Sequence, residues 1–167
     1  MQVLAFSCLP LEGPMDSEEY PTLFLHSGQV LVTPEPQRIM TIVGSCVSVC
    51  LWEPRRRHGG INHFLLAYPP ATTRRSVLRP LSYGELAMAE LIQRMCALGS
   101  RPGDLQAKVF GGSAALGGRG PGGDNVIVAM DFLAHWGIPL SALDVAGPRG
   151  RKLIFDTSDG SVLVRRL

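Results

Sequence analysis

The chain has 167 residues and a mass of 18.0 kDa, the size of one domain with a core of its own. Hydrophobic residues make up 46% and charged residues 18%, which excludes a disordered chain. A net charge of +2 excludes a nucleic-acid binder that works by bulk electrostatics.

The first 37 residues hold Glu12, Asp16, Glu18, Glu19 and Glu35 and no Lys or Arg, so the 16 basic residues all lie beyond them, in a body of net charge +7. Such a body suits an acidic protein partner or is simply a solvated basic surface. The opening Met1-Gln2-Val3-Leu4-Ala5-Phe6-Ser7-Cys8 has no positive region and too short an apolar stretch for an export signal. Residues 1–20 read as an acidic leader and residues 21–167 as the domain. No apolar run reaches the roughly 18 residues of a membrane span, which points to a cytoplasmic protein without membrane insertion. Four cysteines, Cys8, Cys46, Cys50 and Cys96, are too few for a disulfide scaffold and read as reduced thiols.

Phe24-Leu25-His26 and Val30-Leu31-Val32 flank Ser27-Gly28 and predict a short hairpin. Strands follow over Arg38–Val43 and Cys46–Trp52, with Gly44-Ser45 bending the chain between them. Glu53–Gly60 reads as a polar loop, Ile61–Leu66 as a strand, and residues 67–81, with three prolines, as a long surface loop. Ser82-Tyr83-Gly84-Glu85 matches a capping box, and Ala87, Leu91, Met95 and Leu98 continue at helical spacing until Gly99. Leu105–Phe110 is a strand, residues 111–123 a glycine-rich loop, and Asp124 caps a second helix that runs to Trp136. A strand over Ile138–Val145 and a hairpin of Lys152–Phe155 with Val162–Val164 about Ser158-Asp159-Gly160 complete the chain. Many short strands with two helices that do not alternate regularly argue for a layered α+β domain over a doubly wound parallel sheet.

Chemistry concentrates in Thr41-Ile42-Val43-Gly44-Ser45-Cys46 and Gly59-Gly60-Ile61-Asn62-His63-Phe64. Cys46 follows a bend of small residues at a strand end, where a substrate has room to approach and the backbone N–H groups of Ser45 and Val47 can face an oxyanion. A thiol becomes a strong nucleophile once a base removes its proton, and His63, one loop away on a second strand, can supply that base. Thr41 offers a hydroxyl at the same end. The competing reading makes Cys46 a small core residue, and a third makes Cys46, Cys50 and His63 an incomplete zinc set. Cys50 and Cys96 read as core, and Cys8 as a bystander in the leader. Gly111-Gly112-Ser113 and the run Gly117–Gly123 have the composition of a phosphate loop without its Lys-Ser/Thr ending. Arg55-Arg56-Arg57-His58 reads as a solvated loop, Asp144 with Arg149 and Arg151 as an ion-pair network, and His26 and His135 as isolated.

The run Gly44-Ser45-Cys46-Val47-Ser48-Val49-Cys50-Leu51, then Gly59-Gly60-Ile61-Asn62-His63-Phe64-Leu65-Leu66, resembles the chemoreceptor glutamine deamidase family, CheD. The resemblance continues through Tyr83-Gly84-Glu85-Leu86-Ala87-Met88, Lys108-Val109-Phe110-Gly111-Gly112, Asp124-Asn125-Val126 and Arg149-Gly150-Arg151-Lys152, and covers roughly residues 23–167. It implies a single α/β/β sandwich similar to the cysteine hydrolase domains of cytotoxic necrotizing factor toxins. It implies hydrolysis of glutamine side-chain amides on methyl-accepting chemotaxis receptors, in some members also of receptor methyl esters, with no metal and no organic cofactor. The family's nucleophile falls on Cys46, its base on His63 and its hydroxyl residue on Thr41, with Met40 standing where some members place that hydroxyl. In some lineages members bind and stimulate a CheC-type phosphatase, which leaves a non-catalytic or dual-role binding partner as the alternative.

Overall fold

The computed structural model describes residues 20–71, 78–114 and 120–167. The leader apart from Tyr20, Cys8 with it, the middle of the predicted 67–81 loop and part of the 111–123 glycine run lie outside the described residues.

The strands are β1 (Thr22–Phe24), β2 (Gln29–Thr33), β3 (Arg38–Val43), β4 (Val47–Glu53), β5 (His58–His63), β6 (Gln106–Gly111), β7 (Leu140–Val145), β8 (Arg151–Asp156) and β9 (Val162–Arg166); the helices are α1 (Gly84–Ala97) and α2 (Gly122–His135). They build two sheets, one in the order β1-β3-β8-β9 and one in the order β2-β5-β4-β6-β7. Both helices pack on the five-stranded sheet, α1 against β2 and β5 and α2 against β4 and β6. The layering is therefore helix, sheet, sheet, an α+β sandwich as the sequence implied. No described helix is long and apolar enough to cross a membrane.

Strand β4 explains the layering. Its run is apolar at every position but Ser48 and Glu53 because both of its faces are covered. Val47, Val49 and Leu51 face the helices, where they join Leu91, Met95, Leu105 and Val128. Cys50 and Trp52 face the other sheet, where Cys50 meets Ile39, Ile61, Phe110, Leu153 and Phe155. The period of two thus sorts one strand between two cores.

Four expectations are corrected. The predicted hairpin over residues 24–32 does not form: β1 pairs in parallel with β3, whereas β2 pairs antiparallel with β5 in the other sheet. Ser27-Gly28 carries the chain between sheets, and tertiary pairing overrides a local turn signal. The predicted 53–60 loop shrinks to a four-residue turn, and the strand spans His58–His63 instead of residues 61–66. Gly59 and Gly60 serve packing here. A Cβ on Gly59 would lie 2.9 Å from the Leu51 carbonyl and from the Phe155 ring, and one on Gly60 2.5 Å from Val32. Finally, the capping box is not made. Ser82 lies in a 3-10 turn over Pro80–Ser82, and Tyr83 occupies the N-cap with no side-chain cap. Likewise α2 begins at Gly122, two residues before the expected cap Asp124.

The C-terminal hairpin forms as predicted. Gly160 takes a positive φ of 76° and lies under the Trp52 ring, where a Cβ would clash. The expected ion-pair network forms in part: Arg151, on β8, reaches across to β7 and donates to Asp144 at 2.9 and 3.0 Å, the second arginine at Asp144 is Arg166, and Arg149 joins only by accepting from Arg151 through its carbonyl. Tyr20, placed in the leader by sequence, is tied to the fold by its hydroxyl, which donates to Asp156 at 2.7 Å.

Candidate active site

Cys46 sits in the bend Gly44-Ser45-Cys46 between β3 and β4, half-buried. Three bonds from the β6–α2 side fix that bend. Ser113 N–H donates to the Gly44 carbonyl at 2.8 Å, Gly112 N–H to the Cys46 carbonyl at 2.8 Å, and Asn125 Nδ2 to the Ser45 carbonyl at 3.0 Å. The carbonyls are turned one way, and the N–H groups of Gly44 and Cys46 face the sulfur. Gly111 and Gly112, grouped with a loop by sequence, make this possible. Both hold positive φ, and a Cβ on Gly111 would collide with the Cys46 carbonyl.

His63 ends β5 and is buried. Val47 and Phe64 exchange N–H···O bonds of 3.1 and 3.0 Å, so the register sets Cys46 diagonally across from His63. Both side chains turn to the face between the sheets, Cys46 beside Cys50 and Ile61 in that core. From the opposing sheet Thr41, fully buried, meets the ring: Thr41 Oγ1 and His63 Nδ1 are 2.8 Å apart. The Thr41 hydroxyl already donates to the Leu25 carbonyl at 2.8 Å. Its oxygen can therefore only accept, so Nδ1 carries the proton and Nε2 the lone pair. Nε2 is buried with no hydrogen-bond partner among the described residues, a base with nothing yet to act on. Sequence-predicted Cys46, His63 and Thr41 thus converge at one end of the sandwich.

Burial sets the charge state of the pair. It pushes the Cys46 thiol above its usual range, against the pull of the Gly44 and Cys46 N–H groups. It pushes His63 down to about 4, helped by the nearby His26 and opposed by the Leu25 carbonyl. The resting pair is a neutral thiol and a neutral imidazole, not a thiolate–imidazolium couple.

Of the two amides expected to face an oxyanion, Val47 N–H is spent on the Phe64 carbonyl, because β4 starts at that residue and its ladder takes the donor. Cys50 is buried in the inter-sheet core, and Cys96 packs on the helix-side core. Among the described residues no cluster of His, Cys, Asp or Glu is placed to hold a metal ion. The arginine loop is only partly solvated: Arg56 pairs with buried Glu53 at 3.0 Å, and His58 is buried with Nε2 2.6 Å from Ser100 Oγ. Sequence reasoning met Asn125 only as part of the Asp124-Asn125-Val126 run and gave it no role. A further signal was a polar residue on the buried stripe Gly122, Asn125, Val128, Ala129, Leu133 of α2.

Beside the bend lies a cavity of about 290 Å³ lined by Asp144, Ala146, Gly147, Arg149, Arg151 and Arg166 among others. Ala146 N–H donates to the Gly111 carbonyl and Ala114 N–H to the Gly147 carbonyl, each at 2.9 Å. The rim of this basic hollow is therefore one residue away from the backbone that clamps Cys46.

The family model for CheD, described as CheD chemotactic sensory transduction, matches residues 65–166. The chain belongs to the CheD family. A relative from Anaeromyxobacter dehalogenans (strain 2CP-C), named probable chemoreceptor glutamine deamidase CheD 1, is 43% identical over 149 residues, covering 87% of this chain and 84% of its own. A relative from Trichlorobacter lovleyi, named probable chemoreceptor glutamine deamidase CheD, is 40% identical over 147 residues, covering 86% and 89%. Another from Sulfurimonas denitrificans with the same name is 35% identical over 152 residues. Among solved structures, the hypothetical protein YfiH of Bacillus licheniformis overlaps 71% of this chain and 49% of its own at 16% identity, with a TM-score of 0.45.

Proposed function

We propose that this CheD-family chain is a protein-glutamine deamidase that acts on chemotaxis receptors, with Cys46 as nucleophile, His63 as base and Thr41 as the group that orients it. The observation that carries the reading is the Leu25–Thr41–His63 relay, which leaves a bare Nε2 on the same face as Cys46. As substrate enters, Nε2 takes the thiol proton while sulfur bonds to the carboxamide carbon. The tetrahedral oxyanion forms beside the Gly44–Cys46 bend, with the Ser45 N–H as a donor to it. His63 returns its proton to the departing nitrogen, the C–N bond breaks, and ammonia leaves a thioester. Water then gives a proton to Nε2 and its oxygen bonds to the carbon. The C–S bond breaks, the sulfur regains a proton, and glutamate is released. A methyl ester at the same carbon follows the same steps with methanol as the leaving group. No step requires a metal or an organic cofactor.

The substrate side chain stands on a folded receptor, so the site must work from an exposed end of the sandwich. Arg149 and Arg166, exposed on the neighbouring hollow, suit an acidic receptor surface. The test is peptide mass spectrometry of a receptor signalling fragment incubated with wild type and with Cys46→Ala. Glutamines that become glutamate only with wild type support the reading; an unchanged fragment with both proteins overturns it.

A second reading has one observation in its favour. A thiol raised by burial suits a scaffold as well as a nucleophile; on that reading the chain is itself a non-catalytic or dual-role partner that binds and stimulates a CheC-type phosphatase. Retention of that phosphatase on immobilised chain, together with a receptor fragment left unchanged, is the result that separates the two.

A further inference from the structure

Asn125 is fully buried at the start of α2. Its Nδ2 donates to two carbonyls at once, that of Ser45 at 3.0 Å and that of Leu65 at 2.8 Å. Two acceptors leave no freedom in the orientation of the amide, because a flipped group would aim an oxygen at both carbonyls. Ser45 immediately precedes Cys46, and Leu65 follows His63 by two residues. The Val47–Phe64 bridge sets the register of Cys46 and His63, and beyond it, where the β4–β5 pairing has ended, Asn125 joins the carbonyls of Ser45 and Leu65. The Oδ1 atom is buried with no hydrogen-bond partner among the described residues, a desolvation cost that an apolar side chain would not carry.

We infer that Asn125 is a positioning residue for the Cys46–His63 pair: one NH₂ group clamps the nucleophile bend to the strand end that carries the base, and so sets the approach of Sγ to Nε2. The inference rests on the proposed roles of Cys46 and His63. It goes beyond them because Asn125 touches neither reacting atom.

The variant that tests it is Asn125→Asp, which keeps the shape and exchanges the donor pair for a carboxyl facing two carbonyls. Burial and those carbonyls favour its protonated form, which donates to one carbonyl only. On receptor fragment, kcat falls about 100-fold with KM unchanged, the loss that follows roughly 1 Å of misplacement at a reacting centre. What activity remains declines further as pH rises and the new carboxyl ionises, a limb that wild type lacks. Iodoacetamide labelling of Cys46, read by peptide mass spectrometry so that the other thiols do not interfere, slows at least tenfold at pH 7. Labelling needs no receptor, so it reports on the clamp even where the deamidase reading fails. Asn125→Ser, which retains one donor and admits water, provides a second folded variant if the first does not fold, and is expected to slow labelling less than Asn125→Asp does at high pH. Folded variants that label at the wild-type rate and show no new pH limb overturn the inference, as does a fall in kcat matched by an equal loss of folded protein.

Discussion

At the scale of single residues, one hydroxyl decides what His63 can do. Thr41 has a single proton, and Leu25 takes it, so the ring is held in the tautomer with Nε2 bare. Thr41→Val keeps the shape and removes the lock. We expect kcat to fall at least about 10–100-fold, the range seen when the hydrogen-bond partner that orients a metal-bound histidine is removed. Stability should fall by about 1–3 kcal/mol, because the Leu25 carbonyl loses its donor. Thr41→Ser should restore most of both. Receptor deamidation rates and urea unfolding of the three proteins check this. The depressed pKa of His63, about 4, makes a second prediction. The acid limb of kcat/KM, which reports the free enzyme, should lie near pH 4; a limb at the ordinary histidine value of 6.5 would mean that the ring is solvated.

At the scale of elements, close approach matters more than local propensity. Gly84 opens α1, where alanine would ordinarily favour the helix by up to about 1 kcal/mol. Yet a Cβ there would lie 2.6 Å from Val128 on α2 and 2.7 Å from the Phe64 ring. Overpacking costs about 1–3 kcal/mol, so Gly84→Ala should destabilise despite the gain in propensity, and a lowered urea midpoint would show it. The Asp144–Arg151 pair joins the two sheets in the same way. Arg151 is 4% exposed and also donates to the carbonyls of Ala146 and Arg149. Asp144→Ala strands that charge, at a cost of about 3 kcal/mol, and loosens the Ala146–Arg149 rim next to the Cys46 clamp. The same unfolding series reads it, with Arg151→Met as the milder comparison.

At the scale of the whole molecule, two buried histidines tie stability to pH. His63 and His58 are both held below their ordinary value, mainly by burial, with Glu53 working the other way on His58. The unfolded chain therefore takes up these protons first. Stability is fully present above about pH 6.5 and is lost as pH falls from there to about 4, the folded value of His63. That residue alone accounts for a loss on the order of 3 kcal/mol. Asp156, lowered by Ser158, Tyr20 and Arg38 against the cost of burial, adds acid sensitivity only further down, below the usual carboxylate range. Urea midpoints measured from pH 7.5 to pH 4.5 should drop steadily in wild type and drop less in His63→Gln.

The sequence by itself determined the class of fold, the two helices and most strands, which follow from hydrophobic period and turn signals, local properties of the chain. That Cys46, His63 and Thr41 belong to one site was an expectation from the resemblance to the CheD family, since spacing alone left Cys46 equally readable as a small core residue. The sequence misplaced the 24–32 segment, because Ser27-Gly28 is a hairpin signal only when its flanking strands share a sheet, and here they do not. It read Gly59-Gly60 and Gly111-Gly112 as loop, because a glycine kept for what passes over it looks the same in sequence as a glycine kept for a turn. Only the tertiary structure decided the tautomer of His63, the neutral state of the resting pair and the clamp at Asn125. Each depends on atoms from strands or helices far apart in the chain, and on burial, which no residue has until the layers close over it.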